Sequence, residues 1–262
     1  MSAPLHVVRA GAGPLVVLVH GSATDHATWS IQLASKLTEQ VELVAYDRRG
    51  AGRSPAPDGR ALTVEDHAAD LVALLAELGR PALVVGSSMG GVVVLEAARR
   101  APPELAAMVL LEPPLPPSDD APDTQGALVT ALDELAAREG GPAAAERFLR
   151  TVLGEAAWSR LPRAFQVRST SYWPQIRGDC HALTRYRVRY ATLPAIATPA
   201  LLLAGERSAP YFRPTIEALT AALPRARMEV VPGAGHMMQA EAPRGFHERL
   251  LGFAAEVGHL TA

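Results

Sequence analysis

The chain is short of the residues that mark several protein classes. It has one cysteine, Cys180, among 262 residues, so no internal disulfide can form. That fits a reducing compartment. Cys180 reads as a bystander thiol in a helical segment, without the combination of a paired histidine and a helix start that would activate it. Charge of one sign is also lacking. The formal net charge is −2 at pH 7, which removes the electrostatic case for a nucleic-acid partner. No apolar run reaches the ~18 residues that a bilayer span needs. The opening MSAPLHVVRAGAG has no basic start, apolar stretch or small-residue cleavage site of a secretion signal. These absences lead to the expectation of a soluble cytoplasmic protein with no membrane partner. Lysine occurs only as Lys36, from which nothing functional follows, and no internal repeat is visible.

What is present is apolar substance. Hydrophobic residues make up 48% of the chain, enough for one full-sized core. Runs at 15–19, 41–46, 82–85, 107–111, 199–203 and 227–231 read as strands, and 5–9 as an edge strand. Most are apolar without alternation, as strands of a parallel sheet covered on both faces must be. Helical spacing fills the gaps at 27–38, 63–78, 88–100, 212–222 and 241–256. Thr63, followed by Glu65 and Asp66, reads as a helix start and Gly79 as its stop. The expected class is α/β, a doubly wound, mostly parallel sheet.

The alternation breaks at 113–195. That stretch opens with the stiff PPLPPSDDAPDT and continues with helical patterns near 126–139, 142–152, 155–170 and 175–190. It reads as a helical cap inserted into a core formed by 1–112 and 196–262.

The chemistry is carried by short motifs. Residues 82–91 read ALVVGSSMGG, in which Gly86-Ser87-Ser88-Met89-Gly90 fits G-x-S-x-G centred on Ser88. A strand runs in and a helix runs out, which presents the Ser88 hydroxyl at a helix N-terminus where negative charge is favoured. A second strand ends in His20-Gly21-Ser22. The backbone N–H groups of Ser22 and Met89 are the candidate oxyanion donors. His20 is read as a structural brace for that loop. The last strand leads into Pro232-Gly233-Ala234-Gly235-His236, and His236 is the candidate general base. His67, His181, His247 and His259 follow no core strand end and have weaker claims.

With these pieces in view, the chain resembles the α/β-hydrolase fold superfamily over nearly its whole length. The matching segments are LVHGS, YDRRGAGRS, VVGSSMGG, LLLAGERS and VPGAGH. The closest likeness is to its capped esterases, lactonases and carbon–carbon hydrolases. The family pattern places an aspartate in the turn after LLLAG, but here Gly205-Glu206-Arg207-Ser208 puts Ser208 there. A serine cannot carry the charge that stabilises an imidazolium. Some members place the acid one strand earlier, and Leu111-Glu112-Pro113-Pro114 matches that variant. The resemblance therefore implies Glu112 as the acid, with Glu206, or no acid at all, as the alternatives. Ser88 stands where the superfamily's dehalogenases and epoxide hydrolases have aspartate, so those reactions are set aside.

Other residues attract weaker expectations. Asp25 and Met237 are expected to border the substrate, and Phe165, Tyr172, Trp173 and Ile176 could line a pocket or form cap core. Trp29 is expected in the core, and Asp47 and Arg48 as a structural ion pair. Arg185, Arg187 and Arg189 read as a solvated helix face. The resulting expectation is a serine hydrolase acting on a small to medium, largely apolar ester or lactone, without metal or cofactor, as monomer or homodimer. Two alternatives stand beside it. One is a carbon–carbon hydrolase or cofactor-free lyase or oxygenase, and the other is a non-catalytic ligand-binding member of the fold.

Overall fold

The computed structural model describes residues 4–56, 60–122 and 124–260. Seven strands form its sheet: β1 (Val7–Ala10), β2 (Leu15–Val19), β3 (Glu42–Tyr46), β4 (Ala82–Ser87), β5 (Leu105–Leu111), β6 (Ala200–Gly205) and β7 (Ala226–Val231). Their order is β1-β3-β2-β4-β5-β6-β7. Only β1 pairs antiparallel, against β3, and the other pairings are parallel. The expected class is what is observed.

The helices are α1 (Ser30–Leu33), α2 (Val64–Leu78), α3 (Met89–Arg99), α4 (Thr124–Glu139), α5 (Gly141–Leu153), α6 (Glu155–Arg160), α7 (Arg163–Ser171), α8 (Trp173–Arg185), α9 (Phe212–Ala222), α10 (Met238–Glu241) and α11 (Pro243–Glu256). Both faces of the sheet are buried along β2 to β6, which explains the unbroken apolar runs there. Val17, Val44, Val84, Met108 and Leu202 face α2, α3 and α9. Their strand neighbours Val16, Leu43, Leu83, Val109 and Leu201 face Trp29 and α11. Trp29 is fully buried, as expected of a core residue.

Local signals explain most helix ends. Thr63 accepts from the Asp66 N–H while the Asp66 carboxylate accepts from the Thr63 N–H at 2.9 Å, a reciprocal cap. Gly79 ends α2 in the left-handed conformation at φ 61°. Three expected helices are shorter than read, among them the stretch at 175–190, where α8 ends at Arg185. The stretch at 27–38 is two 3-10 turns around the short α1, because Ser35 adopts an extended conformation and caps Leu37 instead of continuing the helix. The stretch at 155–170 breaks at Leu161, which precedes Pro162 and is extended at ψ 141°.

Among the described residues between β5 and β6 lie the α-helices α4 to α8, with an apolar cluster of their own that includes Leu132, Leu149, Trp158, Ile176 and Cys180, and a 3-10 turn at Tyr190–Ala195. Ala23, from the loop after β2, joins that cluster and ties the inserted helices to the sheet edge. Among the described residues, no helix is long and apolar enough to cross a membrane.

Candidate active site

In this strand order the chain reverses direction between β2 and β4, and open α/β sheets form their ligand crevices at such a reversal. Both strands end there in the residues of interest. Val19 is paired with Gly86, so the segments His20–Ser22 and Ser87–Ser88 leave the sheet side by side.

Ser88 sits between β4 and α3 with φ 53° and ψ −121°. A non-glycine residue held there stores about 1–3 kcal/mol of strain. The two motif glycines make this turn possible. A Cβ on Gly86 would stand 2.4 Å from the Gly90 carbonyl oxygen, and one on Gly90 would stand 2.3 Å from that of Val19. The turn is pinned by the Ser88 N–H donating to the Leu111 carbonyl at 2.8 Å, which also ties it to the end of β5.

The residue after Leu111 is Glu112, fully buried and at φ 44°. Both its oxygens are engaged: Oε1 accepts from the Gly205 N–H at 2.8 Å, and Oε2 lies 2.7 Å from Nδ1 of His236. His236 is 7% exposed and stacks on Phe212, with ring centroids 4.4 Å apart and planes 7° from parallel. Glu206 is engaged elsewhere: its Oε2 accepts from the Gly233 N–H at 2.8 Å. Ser208 Oγ is buried without a hydrogen-bond partner.

Ser88 and His236 line one cavity of about 60 Å³ together with Gly21, Ser22 and Met237. No hydrogen bond joins Ser88 Oγ to His236 among the described residues; such contacts tighten when a substrate is bound. Met89 is the first residue of α3, where an N–H has no helical acceptor. The N–H groups of Ser22 and Met89 make no hydrogen bond among the described residues.

The rest of the cavity wall differs in part from expectation. Phe165 and Met237 line it; Asp25, Tyr172 and Trp173 do not. Asp25 is instead a latch between the loop after β2 and the inserted helices. Its carboxylate accepts from Tyr172 Oη at 2.5 Å, from Arg168 at 2.7 and 2.9 Å, and from the Ala27 N–H at 2.9 Å. Burial pushes its carboxyl up, but the bonds from Tyr172, Ala27 and Arg168 outweigh this and hold it below the usual range. Trp173 packs on α5, where a Cβ on Gly141 would meet its ring at 2.3 Å. Ile176 is inserted-helix core. The apolar wall is supplied by α5 through Phe148, Leu149, Val152 and Leu153. Their spacing of one and four residues on an amphipathic stretch was the available signal, and the expectation had stopped at the aromatics further on.

Arg48 and Asp47 do not pair with each other. Arg48 pairs with Asp179 of α8, and Asp47 accepts from His26 Nδ1 at 2.7 Å. Adjacent residues on an extended segment point to opposite sides, which the sequence reading overlooked. Arg187 and Arg189 are exposed, but they lie beyond the end of α8, alternating with buried Tyr186 and Val188 as an extended segment does. His20 braces its loop as expected. Its Nε2 accepts from the Arg48 N–H at 2.9 Å, and burial together with the Arg48 charge lowers its pKa to about 4.

His181 pairs with Asp133, His259 lies 2.8 Å from the Leu15 carbonyl, and His247 lies 3.2 Å from Gln32. Among the described residues, one His/Asp group has metal-ligand spacing, His6, His26 and Asp47. Its carboxylate accepts from the N–H groups of His26 and Arg53 and lies 2.7 Å from His26 Nδ1, while His6 Nε2 is buried without a hydrogen-bond partner. Cys180 is buried, and burial pushes its thiol up to about 12, away from reactivity.

A profile of the Alpha/beta hydrolase family matches residues 16–249, and the chain belongs to that family. It is 28% identical over 257 residues to the "Putative carbamate hydrolase RutD" of Pseudomonas savastanoi pv. phaseolicola, spanning 95% of this chain and 96% of that protein. Among solved structures, a thermophilic esterase from Thermogutta terrifontis matches with a TM-score of 0.82 at 26% identity, over 97% of this chain and 93% of that one. Est816, an N-acyl homoserine lactone degrading enzyme, matches with a TM-score of 0.77 over 95% and 96% of the two chains. At 23% identity that likeness is one of fold. These three relatives carry names of hydrolytic enzymes, in keeping with the Alpha/beta hydrolase family to which the chain belongs.

Proposed function

We propose that this chain is a serine hydrolase that cleaves small, largely apolar carboxylic esters or lactones through an acyl-enzyme. The observation that carries this reading is the Glu112–His236 pair at 2.7 Å, set on the same cavity as a Ser88 held in a strained strand-to-helix turn. His236 takes the Ser88 proton as Oγ attacks the carbonyl carbon. Glu112 fixes the imidazole by Nδ1 and stabilises the imidazolium that forms. The N–H groups of Ser22 and Met89 receive the oxyanion. His236 then protonates the leaving group, and water repeats the cycle on the acyl-enzyme. Carbon, oxygen and proton balances close with water alone.

The cavity supports a small acyl group. A volume of about 60 Å³ holds on the order of four to six non-hydrogen atoms, at 10–15 Å³ for each water-sized group. Helices α4 to α8, within 113–195, act as a cap that supplies the apolar wall. A carbamate presents the same carbonyl with a nitrogen leaving group, so the name of the RutD relative fits the same chemistry.

The test is turnover on a panel of p-nitrophenyl esters, lactones, carbamates and vinylogous diketones. Sustained release from esters or lactones, abolished in Ser88→Ala, supports the reading. A single stoichiometric burst with no turnover would make the chain a ligand-binding member of the fold. Cleavage confined to the diketones would make it a carbon–carbon hydrolase.

A further inference from the structure

A buried ion pair that the proposed reaction leaves unused lies against the loop bearing Ser22. Arg48 and Asp179 are 1% and 5% exposed and share two bonds, Nη1 to Oδ1 at 3.0 Å and Nη2 to Oδ2 at 2.6 Å. The other donors of Arg48 go to the same loop: Nε to the His20 carbonyl at 3.1 Å and Nη2 to the Gly21 carbonyl at 3.0 Å. Asp179 takes one more bond, from Ser22 Oγ at 2.7 Å. Three consecutive residues of the loop are thus fastened to one ion pair. Burial pushes the Asp179 carboxyl up, yet the Arg48 charge and the bonds from Arg48 and Ser22 keep it ionised, below the usual range.

Stability alone is a poor explanation for this arrangement. Desolvating two charges costs several kcal/mol per ion, and apolar side chains of similar size often hold a core as well. What the pair supplies is geometry. Oxyanion donors act over 2.7–3.1 Å, so a small rotation of the Gly21–Ser22 peptide would misdirect the Ser22 N–H. The pair also crosses between structural units. Asp179 belongs to α8, and two neighbouring contacts follow the same route: Gln175 exchanges two bonds with the Thr24 backbone at 3.0 and 3.3 Å, and Asp25 holds Arg168 and Tyr172.

We propose that Asp179, oriented by Arg48, is a positioning residue for the Ser22 N–H, so that docking of α8 on the loop after β2 sets the competence of Ser88 for acyl transfer. This rests on Ser88 being the nucleophile.

The probes are diethyl p-nitrophenyl phosphate and its P=S analogue. Ser88 Oγ bonds to phosphorus, p-nitrophenolate leaves, and the hydroxyl proton passes to His236. The P=O oxygen occupies the oxyanion site. Sulfur there is larger and a poorer acceptor, so the oxygen-to-sulfur rate ratio reports how well the donors are placed. Asp179→Asn should lower the P=O rate about 10- to 100-fold, less than or equal to loss of a whole donor, and shrink the ratio. Ser22→Ala removes only the hydroxyl and should move both readouts the same way, about three- to tenfold. The double variant should lose less than the product of the two, because both act along one path.

A folded Asp179→Asn protein with wild-type rates, or with equal losses on both probes and an unchanged ratio, overturns the proposal. Should Asp179→Asn fail to fold, Ser22→Ala decides alone, and an unchanged ratio there overturns it. A wild-type protein that reacts with neither probe refutes the nucleophile reading first, and this inference with it.

Discussion

Phe212 lies flat against His236, its ring 4.4 Å away and within 7° of parallel. The phenyl face thus holds the imidazole in the plane that sets Nδ1 2.7 Å from Glu112 Oε2, and His236 lines the same cavity as Ser88. Phe212 is 2% exposed, so truncation to alanine would open a cavity as well as free the ring. Phe212→Leu keeps most of the bulk and removes the flat face. Its kcat on the best ester should fall about three- to tenfold with little change in KM, because the loss falls on orientation in the transition state. A change in KM alone would show that Phe212 serves the substrate and not the base.

Nothing in the sequence marked Phe212, and the reason is instructive. It opens α9, far along the chain from His236, and only the packing of the turn after β6 against the loop after β7 brings the two rings together. Residues held by local rules were legible. Gly86 and Gly90 must be glycine because a Cβ would strike backbone oxygen, and this is visible in G-x-S-x-G. Thr63 and Asp66 cap α2 across three residues. Strands β2 to β6 were legible because both faces of the sheet are buried along them. Arg48 was misread because its partner, Asp179, is separated from it by 131 positions in sequence. The wall of the cavity was misread for a similar reason. Aromatic residues attract attention, yet Tyr172 and Trp173 are turned to Asp25 and Gly141 while the aliphatic face of α5 meets the cavity.

That face yields a prediction about chain length. Phe148, Val152 and Leu153 close the cavity that receives the acyl group in the proposed reaction. Val152→Ala and Phe148→Ala should move the preferred p-nitrophenyl ester toward longer acyl chains by roughly one to four carbons, from the volume removed. The measurement is kcat/KM across acetate to octanoate. An unchanged profile in both variants would mean that acyl groups lie elsewhere.

Acid should destabilise the fold well before the surface carboxylates titrate. Burial, reinforced by the Arg48 charge, lowers the pKa of His20 from 6.5 to about 4 and that of His67 from 6.5 to about 3. Between these values the unfolded chain binds protons that the folded chain does not. Stability is therefore complete above pH 6.5 and falls as the pH drops toward 4. The melting midpoint should drop by about 5–10 °C between about pH 7.5 and pH 5. His67 Nδ1 has no hydrogen-bond partner and Nε2 stands 4.0 Å from Asp179 Oδ1, so His67→Leu removes a titrating group at the loss of that one contact. The variant should show a shallower acid slope. A slope identical to that of the parent protein would exclude His67 as a contributor.

Ser88→Ala should abolish turnover by several orders of magnitude while the fold persists. The hydroxyl stands at a half-buried turn, and the strain at φ 53° belongs to the backbone whatever the side chain. The melting midpoint should therefore stay within a few degrees of the parent protein. Near-normal turnover in the folded variant would end the assignment of Ser88.

Glu112→Gln is the most discriminating substitution, because it tests the departure from the usual family pattern. The carboxylate serves two donors at once, the Gly205 N–H at 2.8 Å and His236 Nδ1 at 2.7 Å. A glutamine amide has one oxygen and one NH2 group. With its oxygen toward Gly205 it presents NH2 to Nδ1, which accepts only in the tautomer with the ring proton on Nε2, the wrong one for taking the Ser88 proton; turned the other way, its NH2 faces the buried Gly205 N–H, donor against donor. That costs about 1–3 kcal/mol of stability, so the melting midpoint must be read beside the kinetics. On the reaction itself, loss of the charge facing the imidazolium should lower kcat by on the order of 10²–10⁴. Glu206→Gln and Ser208→Ala should each cost less than about tenfold, since Glu206 holds Gly233 and Ser208 Oγ has no partner. Ser208→Asp in the Glu112→Gln background places a carboxylate in the turn after β6, where the common pattern has it. Part of the lost rate should return if that turn lets the new side chain reach Nδ1. A folded, fully active Glu112→Gln protein beside an inactive Glu206→Gln protein would move the acid to the turn after β6.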